Sequence, residues 1–226
     1  INDALGNSVG QAPIAMWWAF LQTENPILDA FYQLNRADTL DKARAAAEKI
    51  QAPGLNVVWA NAKGDIGWWA AAQLPLRPAG VNPSFILDGS SEQADKLGFV
   101  PFSANPQEEN PARGYIVSAN HQPVAASGIE IPGYYNLPDR AQRLDQRLAD
   151  DSVKWNLENS QALQLDNGSG YGPRLLKQLL PLLQTNASAE EQVLLKQLAN
   201  WNGDHTLNGI APTLFNQLVY QLTDAA

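Results

Sequence analysis

Two side chains stand where their type and surroundings give them chemical use. Asn56 is an amide at the start of an otherwise apolar run, Leu55-Asn-Val-Val-Trp-Ala60, directly after the helix-breaking pair Pro53-Gly54. An amide withdrawn from water has to find hydrogen-bond partners, so this one is either a structural link or a donor placed for a ligand. Arg77, between Pro75-Leu76 and Pro78, carries the same ambiguity. Its guanidinium either pins the loop to a carboxylate or serves a site. The other reactive residue types offer less. There is no cysteine, which excludes thiol nucleophiles and disulfides. His121 and His205 have no partner spacing for a triad and are too few for a His-rich or Cys-rich zinc site. Both read as surface or internally satisfied histidines. Gly168-Ser-Gly-Tyr-Gly172 lacks the Lys and Ser/Thr that end a phosphate loop, and Asn167 replaces the first Gly of a nucleophile elbow. It reads as a helix-entry loop. The pairs Trp17-Trp18 and Trp68-Trp69 can line a pocket, but neighbours on a strand face opposite ways, so core packing accounts for most of them. Two glycosylation sequons, at Asn167 and Asn186, read as chance.

The composition bounds the setting of this chemistry. In 226 residues 45% are hydrophobic, enough for one large domain or two small ones with a real core. The net charge of −8 argues against phosphate-neutralising contacts, so no nucleic acid is expected as a partner. The longest wholly apolar run, Ile14 to Leu21, is too short to span a bilayer. The chain opens on Ile1, with no Met before it, and is expected to be a piece trimmed from something longer.

The elements that must position Asn56 and Arg77 follow from periodicity and punctuation. A helix is expected after Asn25-Pro26, with Ile27, Leu28, Phe31 and Leu34 at helical spacing. A second opens at Asp38 as N-cap, runs through the alanines to Ile50 and stops at Pro53-Gly54. Residues 55–62 and 66–73 read as the strands of a hairpin about Lys63-Gly64-Asp65. Residues 74–113 hold many prolines and read as a long ordered loop with short strands. Gly114 to Ala119 reads as a further strand. Helices are expected at 139–149, 152–165, 172–184, 188–201 and 212–223, with Ser188 and Glu191 as a capping box and Gly203 as a helix stop. The class is α+β, mixed in the middle and helical in the last third.

Six segments resemble, in order, the penicillin acylase (penicillin amidase) family of N-terminal nucleophile hydrolases. Asn56-Val-Val-Trp-Ala-Asn-Ala-Lys-Gly-Asp-Ile-Gly-Trp68 is similar to that family's Asn, hydrophobics, Ala-Asp, Gly-Asn-Ile-Gly-Tyr stretch. Leu74-Pro-Leu-Arg77 resembles its Ile-Pro-Ile-Arg segment, and Gly98-Phe-Val-Pro-Phe102 its Gly-Phe-Ile-Pro-Phe. Asn110-Pro-Ala-Arg-Gly-Tyr-Ile-Val-Ser-Ala-Asn120 is similar to Asn-Pro-x-x-Gly-Tyr-Ile-Val-Thr-Ala-Asn. Asp139-Arg-Ala-Gln-Arg-Leu144 resembles an Arg-Ala-x-Arg-Ile helix, and Trp201-Asn-Gly203 a Trp-Asp-Gly.

The resemblance implies a four-layer αββα sandwich, matured by autocatalytic cleavage of a zymogen, of which this chain is an internal piece of the β-subunit. Residues 1–137 would be the sheet and helix portion of that core and residues 138–226 the helical portion. The family's nucleophile is the N-terminal Ser of the β-subunit, with its own α-amino group as base. Residue 1 here is Ile, so the serine and the backbone donor of the oxyanion hole are expected upstream, and the chain alone is expected to be inactive. By motif, Asn56 would supply a side-chain N–H to the oxyanion hole, and Arg77 would help orient the nucleophile region. Catalysis would require no cofactor. A structural calcium is implied for the parent, with ligands drawn mainly from elsewhere; Asp65, where the family more often has Asn, is a calcium candidate here. The partners implied are the α-subunit, the rest of the β-subunit and a small acyl-amide: a penicillin, a cephalosporin derivative or an N-acyl-homoserine lactone. The implied location is periplasmic or secreted. The alternative is a non-catalytic α+β module that binds a ligand or partner.

Overall fold

Alanines at helical spacing and an alternating hairpin meet in the first part of the chain, and their packing sets the position of Asn56. The structure, a computed structural model, describes residues 10, 12–123 and 129–225; Ile1 lies outside them. The chain divides into two compact units, residues 1–136 and 137–226.

In the first unit α1 (Ile27–Leu34) and α2 (Leu40–Glu48) precede a hairpin of β1 (Leu55–Ala60) and β2 (Ile66–Ala71). A short third strand, β3 (Gln107–Glu109), pairs antiparallel with the other side of β2, so the order is β1-β2-β3. The register pairs Asn56 with Ala70 and Val58 with Trp68. One face therefore carries Leu55, Val57, Trp59, Gly67, Trp69 and Ala71, and the other carries Asn56, Val58, Ala60, Ile66, Trp68 and Ala70. The first face is the core: Val57, Trp69 and Ala71 pack with Ala30, Ala43, Ala47 and Ile50. Small side chains on α2 let the helix approach closely, and the wholly buried Trp69 fills the space between. Burying an indole of this size contributes roughly 4–6 kcal/mol. Its ring N–H donates to Glu109 Oε1 at 2.9 Å, and Glu109 also accepts from Arg44 Nε at 2.6 Å. The opposite face of β1 is open, with Val58 58% exposed.

The hairpin turn is braced by amides. Asn61 Nδ2 donates to Asp65 Oδ2 at 2.7 Å, and Asn110 Nδ2 to Asp65 Oδ1 at 3.1 Å. Asn110 Oδ1 in turn accepts from the Ile66 amide at 2.8 Å. Gly64, at φ +95°, turns the chain where a side chain would be strained. Beyond β2, Leu76 N donates to Gly98 O and Val100 N to Leu74 O, each at 2.9 Å, so the segments around Arg77 and Phe99 pair with each other. Fully buried Asn105 donates to the carbonyls of Ala70 and Ala72, at 2.9 and 2.8 Å, and fixes the end of β2.

The second unit is helical: α3 (Asp139–Leu148), α4 (Leu157–Gln164), α5 (Tyr171–Gln184), α6 (Ala189–Ala199) and α7 (Ile210–Asp224). Leu176, Leu195, Leu198 and Phe215 form its core, with Tyr171 and Trp201 against them. The Ser188/Glu191 capping box is present. Asp166 clamps α3, accepting from Arg143 Nε and Nη2, both at 2.9 Å, and from Arg147 Nη2 at 2.6 Å. Gly203 sits at φ +95° against the Ser169 carbonyl, and Gly168 bridges Asp204.

The fold is α+β, as the sequence suggests, with local differences. The N-cap of α2 is Thr39, whose hydroxyl accepts from Lys42 N; Asp38 instead pairs with the Lys42 ammonium. Extended Thr39 directly precedes the first turn, so its side chain reaches the orphan amide and the aspartate does not. Gly114–Ala119 forms no strand: it pairs with neither edge of the sheet. α1 begins at Ile27, after a left-handed Asn25, and leaves Leu28 82% exposed. α4 starts at Leu157 rather than near residue 152, where Asn156 and Asn159 cap it reciprocally.

Candidate active site

Asn56 lies on the open face of the hairpin, and it is exposed rather than buried. The pleat decides this: Val57 points to the helices, so its neighbour points away. Its Oδ1 accepts from Trp68 Nε1 at 2.9 Å. An indole nitrogen is a donor only, so the amide is oriented without ambiguity, oxygen toward the ring and nitrogen away from it. The Nδ2 hydrogens meet no acceptor among the described residues. The side chain thus presents two N–H donors outward from β1.

Trp68 is 6% exposed although it lies on the open face. It pairs across with Glu108, whose carboxylate takes both Arg113 Nη1, at 2.9 Å, and Arg113 Nη2. The two neighbouring tryptophans therefore divide as alternation requires, Trp69 into the core and Trp68 toward Asn56.

Arg77 is half-buried and makes no ion pair among the described residues, so it does not pin its loop to a carboxylate. Its guanidinium carbon lies over the Trp17 ring, 5.9 Å from the centroid, and Lys96 Nζ lies 5.4 Å from the same centroid. Phe99 stacks on Trp17 at 6.1 Å. Two cations share one aromatic surface, held by the quadrupole of the ring rather than by a countercharge. The guanidinium hydrogens remain available for an anionic or carbonyl oxygen.

Asp65 braces the hairpin turn. Both of its oxygens accept amide hydrogens, from Asn61 and Asn110, and these hydrogen bonds hold its carboxyl below the usual carboxylate range. Among the described residues no cluster of three or more His, Cys, Asp or Glu could hold a metal. No hydrogen bond, ion pair or ring contact joins Asn56, Arg77 and Asp65 to one another among the described residues.

The histidines play no part in this arrangement. His205 Nδ1 lies 3.1 Å from the Gly203 carbonyl and its ring packs on Trp201. His121 differs from expectation, because its Nδ1 is buried with no partner among the described residues. Asn105 was invisible as a special residue in the sequence, where only the Asn-Pro pair within a run of short polar residues marked it. An apolar groove in the helical unit, lined by Leu183, Leu195, Leu198, Leu214 and Leu218, brings no chemistry. Its one carboxylate, Glu191, accepts from the Ser188 amide in the capping box. Among the described residues no helix is long and apolar enough to cross a membrane.

Comparison with known proteins supplies the context for this geometry. The family model described as penicillin amidase matches residues 1–226. The acyl-homoserine lactone acylase QuiP of Pseudomonas fluorescens (strain Pf-5) is 32% identical over 184 residues, 78% of this chain and 22% of that protein. Penicillin G acylase of Escherichia coli is 29% identical over 166 residues, 70% of this chain and 19% of that protein. The solved structure of a thermostable penicillin G acylase from Alcaligenes faecalis superposes with a TM-score of 0.60 at 22% identity. It covers 80% of this chain and 33% of that one, a likeness of fold. The chain spans about a fifth of the length of the two curated relatives.

Proposed function

Because this chain belongs to the penicillin amidase family, we propose that it is an internal part of the catalytic β-subunit of an amide hydrolase, with Asn56 as a donor to the acyl oxygen. One observation carries the reading. The Asn56 amide stands on the open face of the sheet with its oxygen engaged by Trp68 and its nitrogen free of any acceptor among the described residues. A preset N–H donor of this kind stabilises the oxyanion of a tetrahedral intermediate, where it is worth about 3–4 kcal/mol of barrier.

In this reading the attacking group is a serine hydroxyl at the start of the β-subunit, outside this chain, with its own α-amino group as base. An amine with a pKa near 8 works close to neutral pH, so neither histidine is needed. Autocatalytic cleavage of a zymogen would create that terminus. Arg77, held on Trp17 with its N–H groups unpaired among the described residues, orients the nucleophile region. Both units belong to the one β-subunit, and the α-subunit and the remaining β-subunit complete the site. The substrate is an amide that releases an acyl group, of the penicillin, cephalosporin or acyl-homoserine lactone type. The reaction uses no cofactor, any structural calcium would be held outside this chain, and the compartment is the periplasm or the exterior.

The test is amide hydrolysis by this chain and by its full-length precursor, with and without Asn56→Ala. The chain alone should release no product, the precursor should turn over, and Asn56→Ala should lower its kcat about a hundredfold or more. An Asn56→Ala precursor with undiminished kcat would remove the donor role and favour a non-catalytic binding module.

A further inference from the structure

The Asn56 amide has two nearly isosteric orientations, related by a half-turn about its last bond, and only one presents N–H groups outward. We propose that Trp68 is a positioning residue that selects this orientation through its indole N–H. The inference rests on the donor reading of Asn56 and adds the group that makes Asn56 a donor.

The geometry for this selection is built into the hairpin. With Asn56 opposite Ala70, Trp68 is the diagonal neighbour on the same face, within reach of a long aromatic side chain. The ring N–H meets Asn56 Oδ1 at 2.9 Å. In the flipped amide this N–H would face an NH2 group, with donor against donor. The flipped state therefore loses one hydrogen bond and gains a repulsion, which disfavours it by about tenfold to a hundredfold. Donation into Oδ1 also polarises the amide and strengthens its outward N–H groups, by about 10–30% per bond.

The anchor is also the stiffer partner. Trp68 lies in β2, which is paired on both sides, and only 6% of it is exposed. Asn56 lies in β1, which is paired on one side among the described residues. Asn56 thus takes its angle from the central strand rather than from its own.

The experiment compares Trp68→Phe, Asn56→Ala and the double variant in the matured full-length enzyme. Trp68→Phe keeps an aromatic ring and removes the donor. It should lower kcat about tenfold with KM within about twofold, because the lost interaction matters only where charge develops on the acyl oxygen. The double variant should be no slower than Asn56→Ala alone, since Trp68 acts through Asn56. If Trp68→Phe does not fold, 3-benzothienylalanine at position 68 replaces the N–H with sulfur in a ring of the same shape and carries the same expectation. An unchanged kcat in either donor-free enzyme overturns the proposal, as does a full additive loss in the double variant. If Asn56→Ala itself keeps full kcat, the donor reading falls, and the outcome is separable from the failure of Trp68 alone.

Discussion

Replacing Gly67 with alanine tests the packing that holds the hairpin against its helices. A methyl group built there would lie 2.4 Å from Trp69 Cη2, 2.8 Å from Cζ2 and 3.1 Å from Leu40 Cδ2. Carbon atoms in ordinary contact sit about 3.5–4.0 Å apart, so the indole has to retreat by about 1 Å. It has nowhere to go: Trp69 is 0% exposed, packs with Ala43, Ala47 and Ile50, and is tied to Glu109 through its ring nitrogen. Overpacking of this kind costs about 1–3 kcal/mol. Loss of the hydrogen bond to the charged Glu109 adds about 1.5–3 kcal/mol. The reduced freedom of the unfolded chain returns about 0.4–1 kcal/mol. The net destabilisation is about 2–5 kcal/mol, read as a lower urea midpoint by circular dichroism with the slope unchanged. On a Trp69→Phe background, which removes both crowded ring atoms, the same substitution should cost less than about 1 kcal/mol. An unchanged midpoint for Gly67→Ala, or an undiminished cost on the Trp69→Phe background, would refute the account.

Two further outcomes concern the helical unit. Arg143 and Arg147 hold the Asp166 carboxyl at about 2, well below the usual 3.8 of an aspartate. The stability from this clamp is complete above about pH 4 and is lost as the pH falls toward 2, so an acid titration of melting temperature should show a drop that Asp166→Asn largely removes. Gly203→Ala would place a methyl 2.0 Å from the Ser169 carbonyl oxygen at a φ of +95°. A loss of at least about 3 kcal/mol in chemical denaturation is expected, and a neutral result would mean that the loop contact is not rigid.

What the sequence discloses and what it hides separate by range. The hairpin is legible because alternation and Lys63-Gly64-Asp65 are both local, and α5, α6 and α7 are legible because their apolar stripes are long and Ser188 marks an entrance. The start of α2 is not, because Asp38 and Thr39 are adjacent residues of equal capping aptitude and only the backbone angle at Thr39 separates them. The Gly114–Ala119 stretch has strand composition, yet a strand also has to be brought alongside an edge, which depends on the whole chain and not on the stretch itself. Asn56 and Arg77 stand out by type and motif, but their settings are non-local. That Arg77 lies on Trp17 depends on a distant part of the chain. The tie from Trp68 to Asn56 was the more accessible of the two, since the hairpin register puts these residues on one face.

The order β1-β2-β3 leaves the outer side of β1 without a ladder among the described residues. Its outward amides have no ladder partner among the described residues, whereas β2 has its amides shared with two neighbours. Hydrogen exchange should therefore be graded across the sheet, fast at the outward positions of β1 and slow throughout β2. A strand added beside β1 would erase that gradient. The tryptophan bonded to Asn56 lies in β2, so the amide should keep its aim even where the outward side of β1 exchanges fast.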